Sequence, residues 1–248
     1  MSDAPASGGP VSDEFLADLA AASRILAAHG VVDAFGHISH RHPDALDRYF
    51  MSRSRAPALV EPEDIIEYSL DSEPCNANGR GSFLERFIHG EIYKARPEIV
   101  SVVHSHSPSV IPFGLTDAGI TAMFHNAAFL ARPVPVFDIS EKFGATDMLV
   151  SDPEKGVAFA ECVGDSCVTM MRAHGSVACG ENLQVAVFRA VYTEVNARIQ
   201  HWTEALAHGG RIAALSEEEG RLADVPNGMG CFRAWELWRT EIRDETGW

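Results

Sequence analysis

The order of the predicted helices and strands assigns this chain to the α/β or α+β class. Apolar side chains at helical spacing, among them Phe15, Leu19 and Leu26, predict a helix over residues 12–29. A β-rich run over residues 99–105 predicts a strand in the middle of the chain. Residues 182–208 predict a long helix with little interruption. Helices and strands therefore mix along the whole sequence, as they do in both classes.

Local signals set the boundaries of the other elements. Ser12 is a suitable N-cap for the first helix, and Gly30 ends that helix. A second helix is predicted over residues 83–95, stopped by Pro97. Strands are predicted within residues 31–42 and at 49–51, 65–70, 99–105 and 166–172, with a short helical stretch at 109–115 and weaker signals at 134–137 and 156–160.

Composition and charge limit the classes of function. Hydrophobic residues make up 46% of the 248 residues and charged residues 22%, as in an ordinary globular protein. The formal net charge of −15 argues against nucleic acid and against an anionic membrane surface as partners. No apolar run approaches the roughly 18 residues that a membrane helix needs. An acidic substrate would need a local pocket of positive charge.

The cysteines and the N-terminal segment indicate a cytoplasmic protein. The five cysteines are an odd number with no C-x-x-C spacing, which favours reduced thiols. Residues 1–11 are rich in Ala, Ser, Gly and Pro and lack the basic and apolar regions of a signal peptide. We expect a disordered leader over residues 1–11 and a single domain over residues 12–248.

Three histidines form the strongest candidate site. His104 and His106 are two residues apart in a predicted strand, so their imidazoles point to the same face and can hold one ion together. His174 lies at the end of another apolar strand and is followed by Gly175. Three His ligands with one open position are typical of a catalytic metal site. The alternative is a set of histidines that cap turns or face solvent.

Glu85 lies in the second predicted helix, beside Leu84, Phe87 and Ile88, which look buried. A carboxylate there is a surface charge, a metal ligand or an acid/base group. Its position alone favours the surface charge, because glutamates are seldom buried unless they are paired.

These residues and their neighbours together resemble the class II aldolase/adducin family over residues 15–205. The matching segments are Glu85, Ile92-Tyr93, Arg96-Pro97-Glu98, Val102-Val103-His104-Ser105-His106 and His174-Gly175. Gly36-His37-Ile38-Ser39-His40-Arg41 is similar to the family's Gly-Asn-x-Ser-x-Arg stretch, and Pro62-Glu63-Asp64-Ile65 to its Pro-Glu-Asp-Leu stretch.

The resemblance implies a fold, an assembly and a site. It implies a three-layer α/β/α sandwich with a mostly antiparallel central sheet, and a homotetramer with active sites at subunit interfaces. It also implies one divalent ion per subunit, Mn²⁺, Zn²⁺, Fe²⁺ or Co²⁺, held by His104, His106 and His174. Glu85 takes the acid/base role by resemblance, and also that of a ligand when no substrate is bound.

The chain departs from the sugar-phosphate members where they bind phosphate. His37 replaces the Asn, and Ser52-Arg53-Ser54-Arg55-Ala56-Pro57 replaces a segment of small residues. Arg53 and Arg55 suit a planar carboxylate, and they point the same way if the segment is extended. The alternative is a pair of solvated surface arginines. These segments resemble the branch that contains 3,4-dihydroxyphthalate decarboxylases and 3-hydroxy-2-methylpyridine-4,5-dicarboxylate decarboxylase.

We therefore expect a metal-dependent, non-oxidative decarboxylase of a hydroxylated aromatic or pyridine carboxylate. Glu85 is the first choice of proton donor, with a pKa raised by burial, and His37 is the second. Arg53, Arg55, Ser54 and His37 are the predicted substrate-binding residues. The alternatives are an aldolase or epimerase acting on a non-phosphorylated hydroxy-acid or sugar acid, and an adducin-like scaffold without activity.

Three further residues have weaker assignments. His125 is a structural histidine or lines the pocket. Trp235 and Trp238 are three residues apart on a predicted C-terminal helix. They are core or interface aromatics, or one of them closes the pocket of a neighbouring subunit over an aromatic ring.

Overall fold

A computed structural model describes residues 4–248 of the chain. Its six α-helices are α1 (Asp13–Ala28), α2 (Arg86–Ala95), α3 (Ile139–Phe143), α4 (Pro153–Val163), α5 (Leu183–Ala207) and α6 (Glu217–Thr246). Its seven strands are β1 (His37–Arg41), β2 (Arg48–Ser52), β3 (Ile65–Ser69), β4 (Ser101–Ser105), β5 (Val136–Phe137), β6 (Val168–Met171) and β7 (Gly175–Gly180). None of these helices is both long and apolar enough to span a membrane.

The seven strands form one sheet in the order β3-β2-β1-β4-β7-β6-β5. Neighbouring strands run antiparallel except β5 and β6, which are parallel. The sheet is therefore mixed: the resemblance implied a mostly antiparallel sheet, and five of the six strand pairs are antiparallel while the pair at one edge is parallel. β4 and β7 are adjacent near the centre, and every residue of both strands is buried.

Helices cover both faces of the sheet and enclose two apolar cores. The first core contains side chains of α1, α5 and α6, such as Leu19, Val187 and Trp238. The second contains side chains of α2 and α4, such as Ile88 and Phe159. These three layers confirm the predicted α/β/α arrangement.

The long predicted helices form where their caps allow. The Ser12 hydroxyl accepts the N–H of Phe15 at the start of α1. The Asn182 side chain accepts the N–H of Val185 at the start of α5. In both cases a side-chain oxygen satisfies a backbone donor that the first helical turn leaves without a partner.

Three local predictions differ from the structure. The second helix begins at Arg86 rather than at residue 83, and the weak signal at 156–160 belongs to the helix α4. The strand β7 was not predicted, because Gly175-Ser176-Val177-Ala178-Cys179-Gly180 is poor in the β-branched and aromatic residues that mark strands. It forms because β4 and β6 pair with it on both sides.

The segment before α1 contacts the sheet. Residues 1–3 of the predicted leader lie outside the described residues, and residues 4–11 contain no helix or strand. The Ser7 hydroxyl and the Gly8 N–H donate to the buried carboxylate of Glu67 on β3. Disorder of the leader stays a prediction.

Candidate metal centre

The three predicted histidines meet at one end of the two central strands. His104 lies on β4, and His106 follows the last residue of that strand rather than belonging to it. β7 pairs with β4 so that Val177 lies opposite His104 and Ser176 opposite Ser105. His174 precedes β7 in the tight turn after β6, and the pairing of β7 with β4 brings it to the same end of these strands.

A close backbone approach beside Gly175 makes this convergence possible. A Cβ atom at Gly175 would lie 2.0 Å from the carbonyl oxygen of Ser105. In the same turn Ala173 has φ +54°, in the left-handed region. The turn thus requires glycine at position 175 and holds His174 against the end of β4.

Glu85 reaches the histidines from the start of α2, which covers the second core. It is the N-cap of α2 and is 7% exposed, whereas Leu84 is 62% exposed. The expectation of Glu85 as a surface charge beside a buried Leu84 is therefore wrong, because the helix starts one residue after Glu85 and turns its side chain inward. The N–H of Val150 donates to Oε1 at 3.0 Å and leaves Oε2 facing the histidines.

The four side chains present their ligand atoms to one point. Nε2 of His106 lies 3.2 Å from Nε2 of His104 and 3.1 Å from Nε2 of His174. Oε2 of Glu85 lies 3.4 Å from Nε2 of His104 and 3.3 Å from Nε2 of His174. All four atoms lie within 4.8 Å of one another.

These distances and the donor chemistry fit a divalent cation. A tetrahedral ion with bonds of about 2.0–2.2 Å needs ligand atoms about 3.3–3.6 Å apart, close to the separations seen here. Nδ1 of His104 lies 3.3 Å from the carbonyl oxygen of Ser176, which can only accept. Nδ1 therefore carries a hydrogen, so Nε2 is the nitrogen that would bind an ion.

The electrostatics of the cluster keep Glu85 ionised. Burial raises the pKa of the Glu85 carboxyl, but the charge and hydrogen bonds of His104 and His174 lower that pKa by more, so that it lies well below its usual value. The expected rise in the pKa of Glu85 is therefore wrong for this arrangement. Burial, with the neighbouring histidines, lowers the pKa of His106 to about 4.

His37 lies beside the cluster, behind His104. The two residues are opposite each other on β1 and β4, and their rings are 5.1 Å apart. Nδ1 of His37 lies 2.7 Å from Nε2 of the buried His89. Burial and the neighbouring imidazoles of His89 and His104 hold the pKa of His37 well below its usual value, so its ring is neutral.

The two predicted arginines share one buried carboxylate. Nε of Arg53 and Nη1 of Arg55 each lie 2.6 Å from an oxygen of Asp64. Burial raises the pKa of Asp64, and the hydrogen bonds from Arg53, the Glu61 N–H and Arg55 outweigh that effect and lower it. The triad keeps a net positive charge.

Strand register places Arg53 near His37. Ser39 lies opposite Met51 on β1 and β2, and Arg53 follows the last residue of β2, towards the end of β1 at which His37 lies. The strand β1 lies between β2 and β4, so two strand spacings, about 9–10 Å, separate the backbones of Arg53 and His104. Ser54 is exposed, and its N–H donates to Gly81.

Sequence reasoning gave no role to Asp64, His89 or Tyr93. Asp64 lies in the Pro-Glu-Asp segment that carries part of the resemblance, which was the available signal. His89 and Tyr93 follow Glu85 at helical spacing and share a hydrogen-bonded chain with Ser39. That spacing was visible in the sequence, but it does not distinguish a site residue from a core residue.

The remaining candidates lie apart from the cluster. His125 is exposed, and its carbonyl accepts from the side chain of Asn227. Trp235 packs against the first core, and Trp238 is buried in it, 4.7 Å from the ring of His29. A groove of about 1100 Å³ lies at the opposite end of the central strands, lined by residues that include Arg96, Cys167 and Glu181 but none of the four candidate ligands.

The chain belongs to the class II aldolase and adducin N-terminal domain family, which matches residues 17–201. The fold is also that of a solved aldolase II superfamily protein from Pseudomonas syringae. That protein superposes with a TM-score of 0.79 at 18% identity, over 96% of this chain and 95% of its own.

Several relatives are named as decarboxylases. The decarboxylase tropJ of Talaromyces stipitatus is 37% identical over 245 residues, covering 90% of this chain and 91% of its own. The 3,4-dihydroxyphthalate decarboxylase of Arthrobacter keyseri is 27% identical over 236 residues, with the same coverage of both chains. These similarities support a carbon-carbon lyase reaction.

Proposed function

We propose that this protein is a divalent-metal-dependent, non-oxidative decarboxylase of a hydroxylated aromatic or pyridine (di)carboxylate such as 3,4-dihydroxyphthalate. The convergence of Glu85 Oε2 with three imidazole Nε2 atoms carries the proposal, because it offers one site for a Lewis acid beside an ionised carboxylate. The names of the two relatives support decarboxylation as the reaction.

His104, His106 and His174 would hold the ion, with Glu85 as a fourth ligand in the absence of substrate. A bound divalent ion would polarise a ring hydroxyl and its neighbouring carboxylate and stabilise negative charge on the hydroxyl oxygen. Zinc, manganese, iron and cobalt all accept such a nitrogen and oxygen ligand set.

Glu85 would move one proton within the substrate. As a carboxylate it accepts the proton of the ring hydroxyl and then donates that proton to the ring carbon that bears the departing carboxylate. Cleavage of the carbon–carboxylate bond returns its electron pair to the ring and releases CO2. The product leaves as a phenolate and takes one proton from water.

Arg53 and Arg55 would hold a carboxylate that the substrate keeps. Both guanidinium groups are about one-third exposed, so each retains N–H donors beyond those used by Asp64. Their planar donors suit a second carboxylate on the ring. His37 and Ser54 are the other proposed contacts to the substrate.

The test is CO2 release from 3,4-dihydroxyphthalate and related hydroxy-acids by the protein loaded with each of the four metals. Aldol cleavage or epimerisation of non-phosphorylated sugar acids is assayed in parallel, because the same ion and Glu85 could also serve that chemistry. Activity only toward the sugar acids would replace the decarboxylase proposal with the aldolase or epimerase. A protein that binds no metal and acts on neither class would instead support the scaffold.

We also propose that the chain forms a homotetramer with active sites between subunits. The family resemblance supports this proposal. Light scattering should give a mass four times the 26.9 kDa of the chain. A monomer with full activity would rule out a site shared between subunits.

A further inference from the structure

A buried chain of hydrogen bonds runs from His37 into the second core. Nδ1 of His37 lies 2.7 Å from Nε2 of His89, and Nδ1 of His89 lies 2.6 Å from the Ser39 hydroxyl. The Ser39 hydroxyl lies 2.6 Å from that of Tyr93, which lies 3.3 Å from the carbonyl oxygen of Val100. Ser39, His89 and Tyr93 are at most 1% exposed, so these bonds form away from water.

The chain leaves one nitrogen of His37 available at the site. Nε2 of His37 has no hydrogen-bond partner among the described residues, while Nδ1 is committed to His89. The ring packs between Phe83, at 4.5 Å, and His104, at 5.1 Å, which fixes its plane. A ligand that reaches Nε2 from the neighbouring metal cluster would therefore meet it in one defined orientation.

Only two arrangements of hydrogens satisfy the three bonds of 2.6–2.7 Å and leave no hydroxyl hydrogen without an acceptor, with both rings neutral. In the first, Tyr93 donates to Ser39, Ser39 donates to Nδ1 of His89, and Nε2–H of His89 donates to Nδ1 of His37. Nε2 of His37 then carries a hydrogen. In the second, every bond is reversed, Tyr93 donates to the carbonyl of Val100, and Nε2 of His37 is bare.

The distances favour the first arrangement. The Val100 carbonyl already accepts the backbone N–H of Arg41 at 2.7 Å. The Tyr93 hydroxyl lies 3.3 Å from the same carbonyl oxygen, which is long for an O–H···O bond. The first arrangement places all its hydrogens in the three bonds of 2.6–2.7 Å, whereas the second places one in this long contact. A phenol is also a stronger donor than an alcohol, which suits donation from Tyr93 to Ser39.

We propose that His89 is a positioning residue which, through Ser39 and Tyr93, holds His37 as the tautomer with hydrogen on Nε2. His37 would then offer a fixed N–H donor to an anionic oxygen of the substrate. This role rests on the proposed function. The chain ends at Tyr93 and a carbonyl, which cannot resupply a proton, so it orients His37 and does not conduct protons from solvent.

Nitrogen NMR of the histidine-labelled, zinc-loaded protein without substrate tests the tautomer directly. The His37 signals, assigned by their loss in His37→Gln, should show a protonated Nε2 and a bare Nδ1. Ser39→Ala removes the donor to His89 and should produce a mixture of the two tautomers. A bare Nε2 in the unsubstituted protein, or no change in Ser39→Ala, would overturn the proposal.

Kinetics distinguish positioning from simple support of the fold. His89→Phe should lower kcat about 10- to 100-fold with unchanged zinc content, the usual range for losing the partner of a site histidine. His89→Gln places an amide near the former Nε2 and should retain most of the activity. Equal losses in both variants would contradict the proposed role.

His42→Gln is the matched control. This buried histidine follows the other end of β1, and within residues 4–248 its ring bonds only backbone atoms, those of Gly9, Asp44 and Ala45. Its replacement should lower the melting temperature without changing the His37 tautomer. Because the tautomer is measured without substrate, the NMR result tests this proposal even if none of the tested acids releases CO2. If His89→Phe does not fold, the Ser39→Ala spectrum decides the outcome.

Discussion

At the scale of single residues, the role of Glu85 depends on its surroundings rather than on its place in the sequence. The same carboxylate on the outer face of α2 would be a solvated charge. As the N-cap it is buried, held by the N–H of Val150 and directed at His104 and His174. Its low pKa keeps it a carboxylate, the form that can bind an ion.

Replacing Glu85 by Gln tests this role. The amide keeps the shape of the side chain but cannot accept the hydroxyl proton, so we expect kcat to fall about 10²- to 10⁴-fold. Steady-state CO2 release with metal content measured on the same sample checks this. Glu91→Gln is the control, because Glu91 is also buried on α2 but pairs with Lys94. Full activity in Glu85→Gln would refute the acid/base assignment.

The two arginines are expected to act in binding rather than in turnover. Removing the charged donor of Arg53 or Arg55 costs about 1.5–3 kcal/mol, which corresponds to an increase of about 10- to 100-fold in KM with little change in kcat. Initial-rate measurements separate the two constants. Arg48→Ala, at the other end of β2 and paired with Asp47, should leave both unchanged. A loss confined to kcat would argue against carboxylate binding.

Asp64 should make the free energy of unfolding depend on pH. The pKa of Asp64 in the folded state lies below the ordinary value of 3.8. The ionised carboxylate therefore stabilises the folded state fully above pH 3.8, and this stabilisation is lost as the pH falls through the lowered pKa. Asp64→Asn should therefore lower the free energy of unfolding by about 1.5–3 kcal/mol at neutral pH. Urea unfolding should show this difference shrinking below pH 3.8. A difference that is constant with pH would mean that the ion pairs of ionised Asp64 with the two arginines do not stabilise the fold.

At the scale of elements, the turn between β6 and β7 and the middle of α5 position two of the histidines. Gly175 lets the turn lie against β4, which brings His174 to the end of that strand. The buried Glu194 of α5 accepts from the hydroxyls of Ser107 and Ser109, in the loop that follows His106. His106 and His174, the two candidate ligands outside regular strands, are therefore held by neighbouring elements.

Gly175→Ala should disrupt the site through the backbone. The added Cβ would meet the Ser105 carbonyl at 2.0 Å, so the turn must move, at a cost of about 1–3 kcal/mol. We expect weaker zinc binding in titrations as well as a lower melting temperature. Gly228→Ala, on α6 with no atom within 4 Å of the new Cβ, should instead stabilise the helix by about 0.5–1 kcal/mol. Unchanged zinc affinity in Gly175→Ala would show that His174 does not depend on the turn.

At the scale of the whole molecule, the candidate ligands join parts of the chain that are far apart in sequence. Glu85 precedes α2, His104 lies on β4, His106 follows that strand, and His174 precedes β7. An ion held by all of them binds the folded state and not the unfolded chain. Metal binding should therefore contribute directly to the free energy of unfolding.

Removing the metal should accordingly lower the melting temperature. Free zinc at about 100 times its Kd adds about 2.7 kcal/mol, and for a chain of this size that corresponds to a shift of about 5–10 °C. Differential scanning calorimetry with zinc and with a chelator measures this shift. His106→Ala should abolish it, and the same shift in that variant would locate the ion elsewhere.

The sequence alone determined the family, the layer arrangement and the identities of the candidate ligands. Caps, hydrophobic spacing and the His104-Ser105-His106 and His174-Gly175 motifs are local, and local patterns can be recognised in one chain. Only the tertiary structure decided that Glu85 is buried and ionised, that Asp64 pairs with both arginines, and that β7 is a strand. It also decided that His37 is backed by His89, Ser39 and Tyr93. Burial, strand pairing and pKa depend on residues brought together across the sheet, and sequence spacing does not record those distances.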